Sequence, residues 1–263
     1  MQTLTTIAAL RAALSERRAS GARVGFVPTM GFLHDGHLTL VDDAKSRCEC
    51  CVLSIFVNPL QFGPTEDLAK YPRDLEGDAG KAAARGVDIL FVPSAEEMYA
   101  TTRTVSVVPE RGGERWEGAV RPGHFAGMLT VVAKLFNIVA PDIAVFGQKD
   151  AQQAALVRAL VRDLDFPLEL VVSPIVRDHD GLALSSRNKY LDAAARAQAR
   201  AIPRALDAVR AAFDAGVRAS ASLEQTGRDV LSRDAAVAPD YLAVVDPGYL
   251  EPRALPFPMA RTE

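Results

Sequence analysis

The sequence predicts an α/β fold, with a mostly parallel sheet covered by helices in the longer N-terminal part and a smaller α+β region after it. Three observations carry this expectation. Apolar runs of strand length alternate with stretches of helical periodicity from Thr5 to Val172. The strand runs are apolar at consecutive positions, as strands buried on both faces require. From about Val176 the alternation stops, and a polar loop gives way to Ala-rich helical sequence.

Residues Thr5 to Ala19 place Ile7, Leu10 and Leu14 at helical spacing, and Ser20-Gly21 ends the run before Val24-Gly25-Phe26-Val27, a short buried strand. Leu38 to Ser46 is the next helix. Val52 to Val57 is the next strand, closed by Asn58-Pro59. Strand, helix and strand in this order imply a right-handed crossover. The pattern continues with a helix over Asp74 to Arg85, a strand at Asp88 to Val92, a helix from Phe125 to Val139 and a strand at Ile143 to Phe146. A helix from Ala151 to Leu164 and a strand at Leu168 to Val172 complete it. Residues 1–175 are therefore expected to form a Rossmann-like domain. Residues 176–263 are expected to form a smaller domain, with high helix propensity over Asp192 to Ala215, a second helix near Ser222 to Ser232 and a strand at Tyr241 to Val245.

Composition narrows the function classes. The chain has 263 residues, 49% of them hydrophobic, enough for one large core or two modest ones. Its net charge of -3 gives no basic excess of the kind that neutralises a phosphate backbone, so nucleic acid is not an expected partner. Cys48, Cys50 and Cys51 are odd in number and have no second Cys or His cluster to complete a zinc site, so they read as reduced thiols of a cytoplasmic protein. Arg11, Glu16, Arg17 and Arg18 interrupt the first apolar stretch, which is expected to be neither signal peptide nor membrane anchor.

The strongest chemical signal is Pro28-Thr29-Met30-Gly31-Phe32-Leu33-His34-Asp35-Gly36-His37, which links the first apolar strand to a helix. Such a turn aims free backbone N–H groups and the positive end of the helix dipole at a ligand above the sheet, which favours phosphate. His34 and His37 can donate to one phosphoryl group as charge grows on an α-phosphorus, and Gly36 lets the backbone come close. The plainer alternative is a helix start with two solvent-facing histidines. His124 and His179 lie too far along the chain to add a local third metal ligand, so no resident metal is expected.

Three further turns carry candidates. Asn58-Pro59-Leu60-Gln61 follows a strand, and the amides of Asn58 and Gln61 suit a small polar acid, although a Pro-rich turn alone would explain the segment. Gly147-Gln148-Lys149-Asp150 again joins a strand to a helix, with Gln153 one turn on. Lys149 can reach β- and γ-phosphate oxygens, while Asp150 and Gln153 also resemble a helix-capping pair. In the second domain, Leu184-Ser185-Ser186-Arg187-Asn188 offers two hydroxyls and a guanidinium to a triphosphate from a loop able to close over it.

Taken in order with Arg121-Pro122-Gly123-His124-Phe125, these motifs resemble the pantothenate synthetase family, the pantoate-beta-alanine ligases of the His-x-Gly-His nucleotidyltransferases, along nearly the whole chain. The resemblance implies a cytoplasmic homodimer joined through the larger domain. It implies a two-step reaction in which pantoate attacks the α-phosphate of MgATP to give pantoyl adenylate and pyrophosphate, and β-alanine then displaces AMP to form pantothenate, a coenzyme A precursor. It further implies that Pro28 to His37, Gly147 to Asp150, Val176 and Leu184 to Arg187 bind ATP, with Mg2+ carried on the nucleotide. His37 would be the proton donor and His34 would assist, Lys149, Ser185, Ser186 and Arg187 would attend the phosphates, and Gln61 and Gln153 would hold pantoate, Gln61 also facing β-alanine.

The sequence departs from the family in two places. Leu184 stands where methionine is frequent, a change of similar volume. Pro252 to Glu263 is Pro-rich where the family continues into an apolar strand and a basic ending, which implies an incomplete small domain. Two other readings keep the histidine turn. A transferase building a dinucleotide cofactor should carry more basic residues for its acceptor phosphate. A tRNA-binding relative or nucleotide sensor would bind with a steep salt dependence or without turnover.

Overall fold

The computed structural model describes residues 1–64, 66, 68–99, 102–234, 236–248 and 250–252. The chain divides into two compact units, Met1–Val176 and Arg177–Glu263.

The first unit is built on β1 (Gln2–Leu4), β2 (Val24–Thr29), β3 (Cys50–Ile55), β4 (Ile89–Phe91), β5 (Ile143–Gly147) and β6 (Glu169–Ser173). These form one sheet in the order β1-β4-β3-β2-β5-β6, with every pairing parallel. Between them run α1 (Ile7–Ala19), α2 (Asp35–Lys45), a 3-10 turn at Pro59–Gln61, α3 (Leu75–Ala84), α4 (Ala95–Met98), α5 (Glu117–Val120), α6 (His124–Val139) and α7 (Ala151–Asp163). The parallel sheet expected from the apolar runs is present. β1 went unseen, since three residues are too few for a periodicity.

Strand alternation divides the core into two layers. Phe26, Cys50, Val52, Ile89, Phe91, Ala144 and Phe146 point to one face, where they pack with Leu10 and Leu14 of α1, the apolar residues of α6, and Leu156, Val157 and Leu160 of α7. Val27, Cys51, Leu53, Leu90, Ile143 and Val145 point to the other, against Leu40, Val41 and Ala44 of α2 and Ala82 of α3. Helices on both faces account for strands apolar at successive positions. β2 continues through α2 towards β3, and its neighbour β5 continues through α7 towards β6 on the other side. The order therefore reverses between β2 and β5, a switch point of the kind beyond whose strand carboxyl ends α/β folds gather their ligands.

The second unit contains a 3-10 turn at Ser186–Tyr190, then α8 (Ala193–Ala199), α9 (Ala201–Asp214) and α10 (Ser220–Leu231). The helix expected over Asp192 to Ala215 is broken at Arg200. Pro203 has no N–H to give the Ala199 carbonyl, so the helical run restarts at Ala201. The strand expected at Tyr241 to Val245 is not formed. Among the described residues Val245 makes only an isolated antiparallel bridge to Pro252, and Arg177 makes another to Ala183. Among its described residues this unit is thus helices and bridges. Residues 253–263, where the unusual ending was noted, lie outside the described residues.

Candidate active site

The turn from Pro28 to His37 joins the carboxyl end of β2 to α2. Thr29 Oγ1 donates to the Ser54 carbonyl at 2.7 Å and accepts from the Gly31 N–H at 3.2 Å. Gly31 turns at φ 83°, and a Cβ there would lie 2.9 Å from Ile55 Cγ2 and 3.0 Å from Asp78 Oδ2. Both the conformation and the space call for glycine. The N–H groups of Phe32 and Leu33 donate to Asp78 Oδ2 and Oδ1, each at 2.6 Å. Asp78 lies on α3 and is 1% exposed. One turn further along α3, Lys81 Nζ donates to the Leu33 carbonyl at 2.8 Å. Sequence reasoning missed both residues. The one available hint was a carboxylate one turn before Ala82, on the stripe that the helix buries.

His34 is the N-cap of α2. The His37 N–H donates to the His34 carbonyl at 2.8 Å, and the His34 N–H donates to His37 Nδ1 at 3.3 Å. The second bond makes Nδ1 an acceptor and assigns the His37 ring proton to Nε2. The two rings lie 4.0 Å apart at 34°. Burial, and then the charge of Lys149, hold His34 below its ordinary pKa. His37 falls to about 3, through burial first and His34 second. Both rings are therefore neutral at neutral pH. His34 Nδ1 is buried without a hydrogen-bond partner, a condition that costs about 1–3 kcal/mol and that an incoming hydroxyl or amino group would relieve. The Asp35 and Gly36 N–H groups precede the first hydrogen bond of α2 and add the positive end of its dipole.

The carboxyl end of β5 delivers Gly147 to Asp150 beside this turn. Lys149 is 40% exposed, its Nζ 3.1 Å from Asp150 Oδ1, and its charge helps to depress both histidines. Asp150 occupies the N-cap of α7 but makes no side-chain capping bond, so the capping alternative for Asp150 and Gln153 is not realised. Gln153 is half-buried in the first turn of α7, and Val176 follows β6.

Asn58 corrects an expectation. It is 1% exposed and its amide is fully used: Nδ2 donates to Gln61 Oε1 and to the Gly127 carbonyl, both at 3.1 Å, while Oδ1 accepts from the Leu60 N–H and from the Tyr99 hydroxyl. An amide with two donors and two acceptor sites satisfied has none left for a ligand. Asn58 therefore orients Gln61, whose Nε2 reaches Met30 Sδ at 3.2 Å and links this turn to the histidine turn. The Gln61 carbonyl accepts from His124 Nδ1 at 2.8 Å and from Arg121, which also pairs with Glu66 and Glu117. Arg121 and His124 thus both hold the Gln61 backbone in place.

In the second unit, Ser185 N-caps the 3-10 turn, its Oγ accepting from the Arg187 N–H at 3.3 Å. Ser186 is 8% exposed. Asn188 Nδ2 donates to the Ala183 carbonyl at 3.0 Å, on the opposite side of Leu184. Among the described residues no group of three or more His, Cys, Asp or Glu is arranged to hold a metal ion, and none of their helices is long and apolar enough to cross a membrane.

The chain as a whole is similar to known proteins. A family model described as pantoate-beta-alanine ligase matches residues 2–261. A pantothenate synthetase of Acidobacterium capsulatum is 52% identical, the match covering 94% of this chain and 86% of that protein. One of Acidothermus cellulolyticus is 56% identical over 92% of this chain and 78% of its own. Among solved structures, the pantothenate synthetase of Thermus thermophilus superposes with a TM-score of 0.91 at 49% identity, covering 97% of this chain and 90% of that one. A Francisella tularensis pantoate-beta-alanine ligase, complexed with β,γ-ATP and β-alanine, gives 0.74 at 35% identity, covering 88% and 86%.

Proposed function

The chain belongs to the pantoate-beta-alanine ligase family, and from that premise we propose the chemistry its own residues perform. It condenses pantoate with β-alanine at the expense of ATP, forming pantothenate through a pantoyl adenylate and releasing pyrophosphate and AMP. A carboxylate is a poor acyl donor until one oxygen carries a good leaving group, which the adenylyl group supplies. The observation that carries this reading is the pair of neutral histidines, one with an unpartnered buried nitrogen, on a helix-starting turn at the sheet's switch point.

Pro28 to His37 and Gly147 to Asp150 hold ATP, with Val176 and Leu184 to Arg187 completing its site and Mg2+ arriving on the phosphates. His37, its Nδ1 engaged by the His34 N–H, donates from Nε2 to a non-bridging oxygen of the α-phosphate. On this reading the ring, neutral at working pH, acts as a hydrogen-bond donor. Lys149 neutralises the departing pyrophosphate. Gln61, oriented by Asn58, and Gln153 hold pantoate, and Gln61 meets β-alanine in the second step. The larger unit is the ATP and pantoate domain, and the smaller one contributes Leu184 to Arg187. The buried free cysteines support a cytoplasmic setting, and family membership supports a homodimer.

The test is pyrophosphate release from ATP with pantoate present and β-alanine omitted, followed by AMP and pantothenate formation once β-alanine is added. Release that requires pantoate, then AMP that requires β-alanine, is the expected order. Folded protein that releases no pyrophosphate with pantoate would overturn the substrate assignment.

A further inference from the structure

The Leu184–Arg187 segment is mounted on a short charged hairpin. The Asp178 N–H donates to the Leu182 carbonyl at 2.8 Å and the Gly181 N–H to the Asp178 carbonyl at 2.9 Å. Gly181 takes φ 86° to close the turn, and Arg177 bridges Ala183 across it. From α8, Arg196 reaches back to this turn with a two-pronged guanidinium. Its Nε lies 2.8 Å from Asp180 Oδ2 and one Nη lies 2.5 Å from Asp178 Oδ2, with the arginine side chain 29% exposed and that of Asp180 12%. The same Asp180 accepts the Leu182 N–H through Oδ1 at 3.2 Å, so each pairing bears on the path of the turn.

We propose that Arg196 is a positioning residue for nucleotide binding. It fixes the Asp178–Leu182 turn to α8, so that Leu184–Arg187 is presented in one conformation, and it cancels carboxylate charge immediately before a loop that must receive a triphosphate. The inference rests on the reading that Ser185, Ser186 and Arg187 attend the phosphates. The order along the chain makes the coupling direct. The Arg196 fork holds Asp178 and Asp180, the hairpin holds Ala183, and Asn188 returns to the Ala183 carbonyl, so Leu184 to Arg187 is anchored at both ends. Both carboxylates stay anionic over any working pH. Asp178 is lowered to about 2, first by the His179 ring and N–H and then by Arg196, and Asp180 is lowered chiefly by Arg196. Without the guanidinium, two negative charges would stand beside the phosphate loop. A lysine could cancel charge as a point cation but could not place two donors in the planar arrangement that joins two carboxylates.

The experiment measures pantoate-dependent pyrophosphate release for Arg196→Met, Arg196→Lys, the triple variant Arg196→Met with Asp178→Asn and Asp180→Asn, and Arg187→Ala, with thermal melting of each. Arg196→Met is expected to raise the KM for ATP about tenfold, leaving the KM for pantoate within about twofold. Arg196→Lys should fall in between, and neutralising both aspartates should recover part of the loss. An unchanged KM for ATP in both Arg196 variants, with Arg187→Ala impaired, would overturn the role of Arg196 alone. A lowered melting temperature with both KM values unchanged would make Arg196 merely structural and overturn it too. An unaffected Arg187→Ala would overturn the phosphate reading of the loop and this inference with it.

Discussion

At the residue scale, the histidine turn offers two separable properties, a fixed donor direction and an absent charge. His37→Ala or Lys149→Ala is expected to leave the fold intact and lower turnover by roughly 100-fold, the effect of removing one donor to developing charge; near-parental turnover in either, by the pyrophosphate assay, would remove that residue from the mechanism. The missing charge on His37 has its own signature. An unfolded chain protonates residue 37 below about pH 6.5, whereas the folded ring stays neutral down to about 3. Between those values the unfolded state binds more protons, so folding stability falls as pH falls. His37→Gln should flatten the dependence of melting temperature on pH between 7 and 4, and parallel curves for parent and variant would mean that the ring is not held neutral. The histidine turn was legible because its residues are contiguous. Asp78 was not, because its partners are backbone N–H groups 46 and 45 residues away, to which any side chain could be attached.

At the element scale, two helices act as braces. α3 holds the histidine turn from below, and Asp78→Asn replaces an acceptor by a donor that faces an N–H. That change should cost about 1–3 kcal/mol of stability by urea denaturation and raise the KM for ATP, as an unsatisfied buried donor does; unchanged stability would mean that the turn holds itself. α6 braces the Asn58–Gln61 turn by close approach, since a Cβ on Gly127 would lie 2.0 Å from the Leu60 carbonyl oxygen. Gly127→Ala is therefore expected to lose about 3 kcal/mol of stability through overpacking and to weaken pantoate binding, read from the same denaturation curves and from the KM for pantoate. Strands of the central sheet were legible because burial on both faces leaves an uninterrupted apolar run. The supposed strand at Tyr241 to Val245 has a similar apolar look but, among the described residues, finds only the Pro252 bridge to pair with, and pairing partners are not written in a single stretch of sequence.

At the scale of the whole molecule, residues from widely separated parts of the chain meet because the strand order reverses between β2 and β5, and each strand ends in a turn suited to phosphate. Alternating strands and helices made this architecture readable, whereas the braces behind it depend on tertiary contacts that no local pattern encodes. Association is expected on the same scale: sedimentation should give a dimer of the 28.2 kDa chain, and a monomer mass independent of concentration would exclude it. The three thiols lead to a different consequence. Cys48, Cys50 and Cys51 lie inside the sheet and its flanking layer, and burial pushes all three thiols up, Cys51 to about 12. In the native chain they are therefore silent towards maleimides and aromatic disulfides, which need an accessible thiolate. Their labelling rate then becomes a clock for the opening of the central sheet, so the chain carries a built-in reporter of its own unfolding that requires neither substrate nor added probe site.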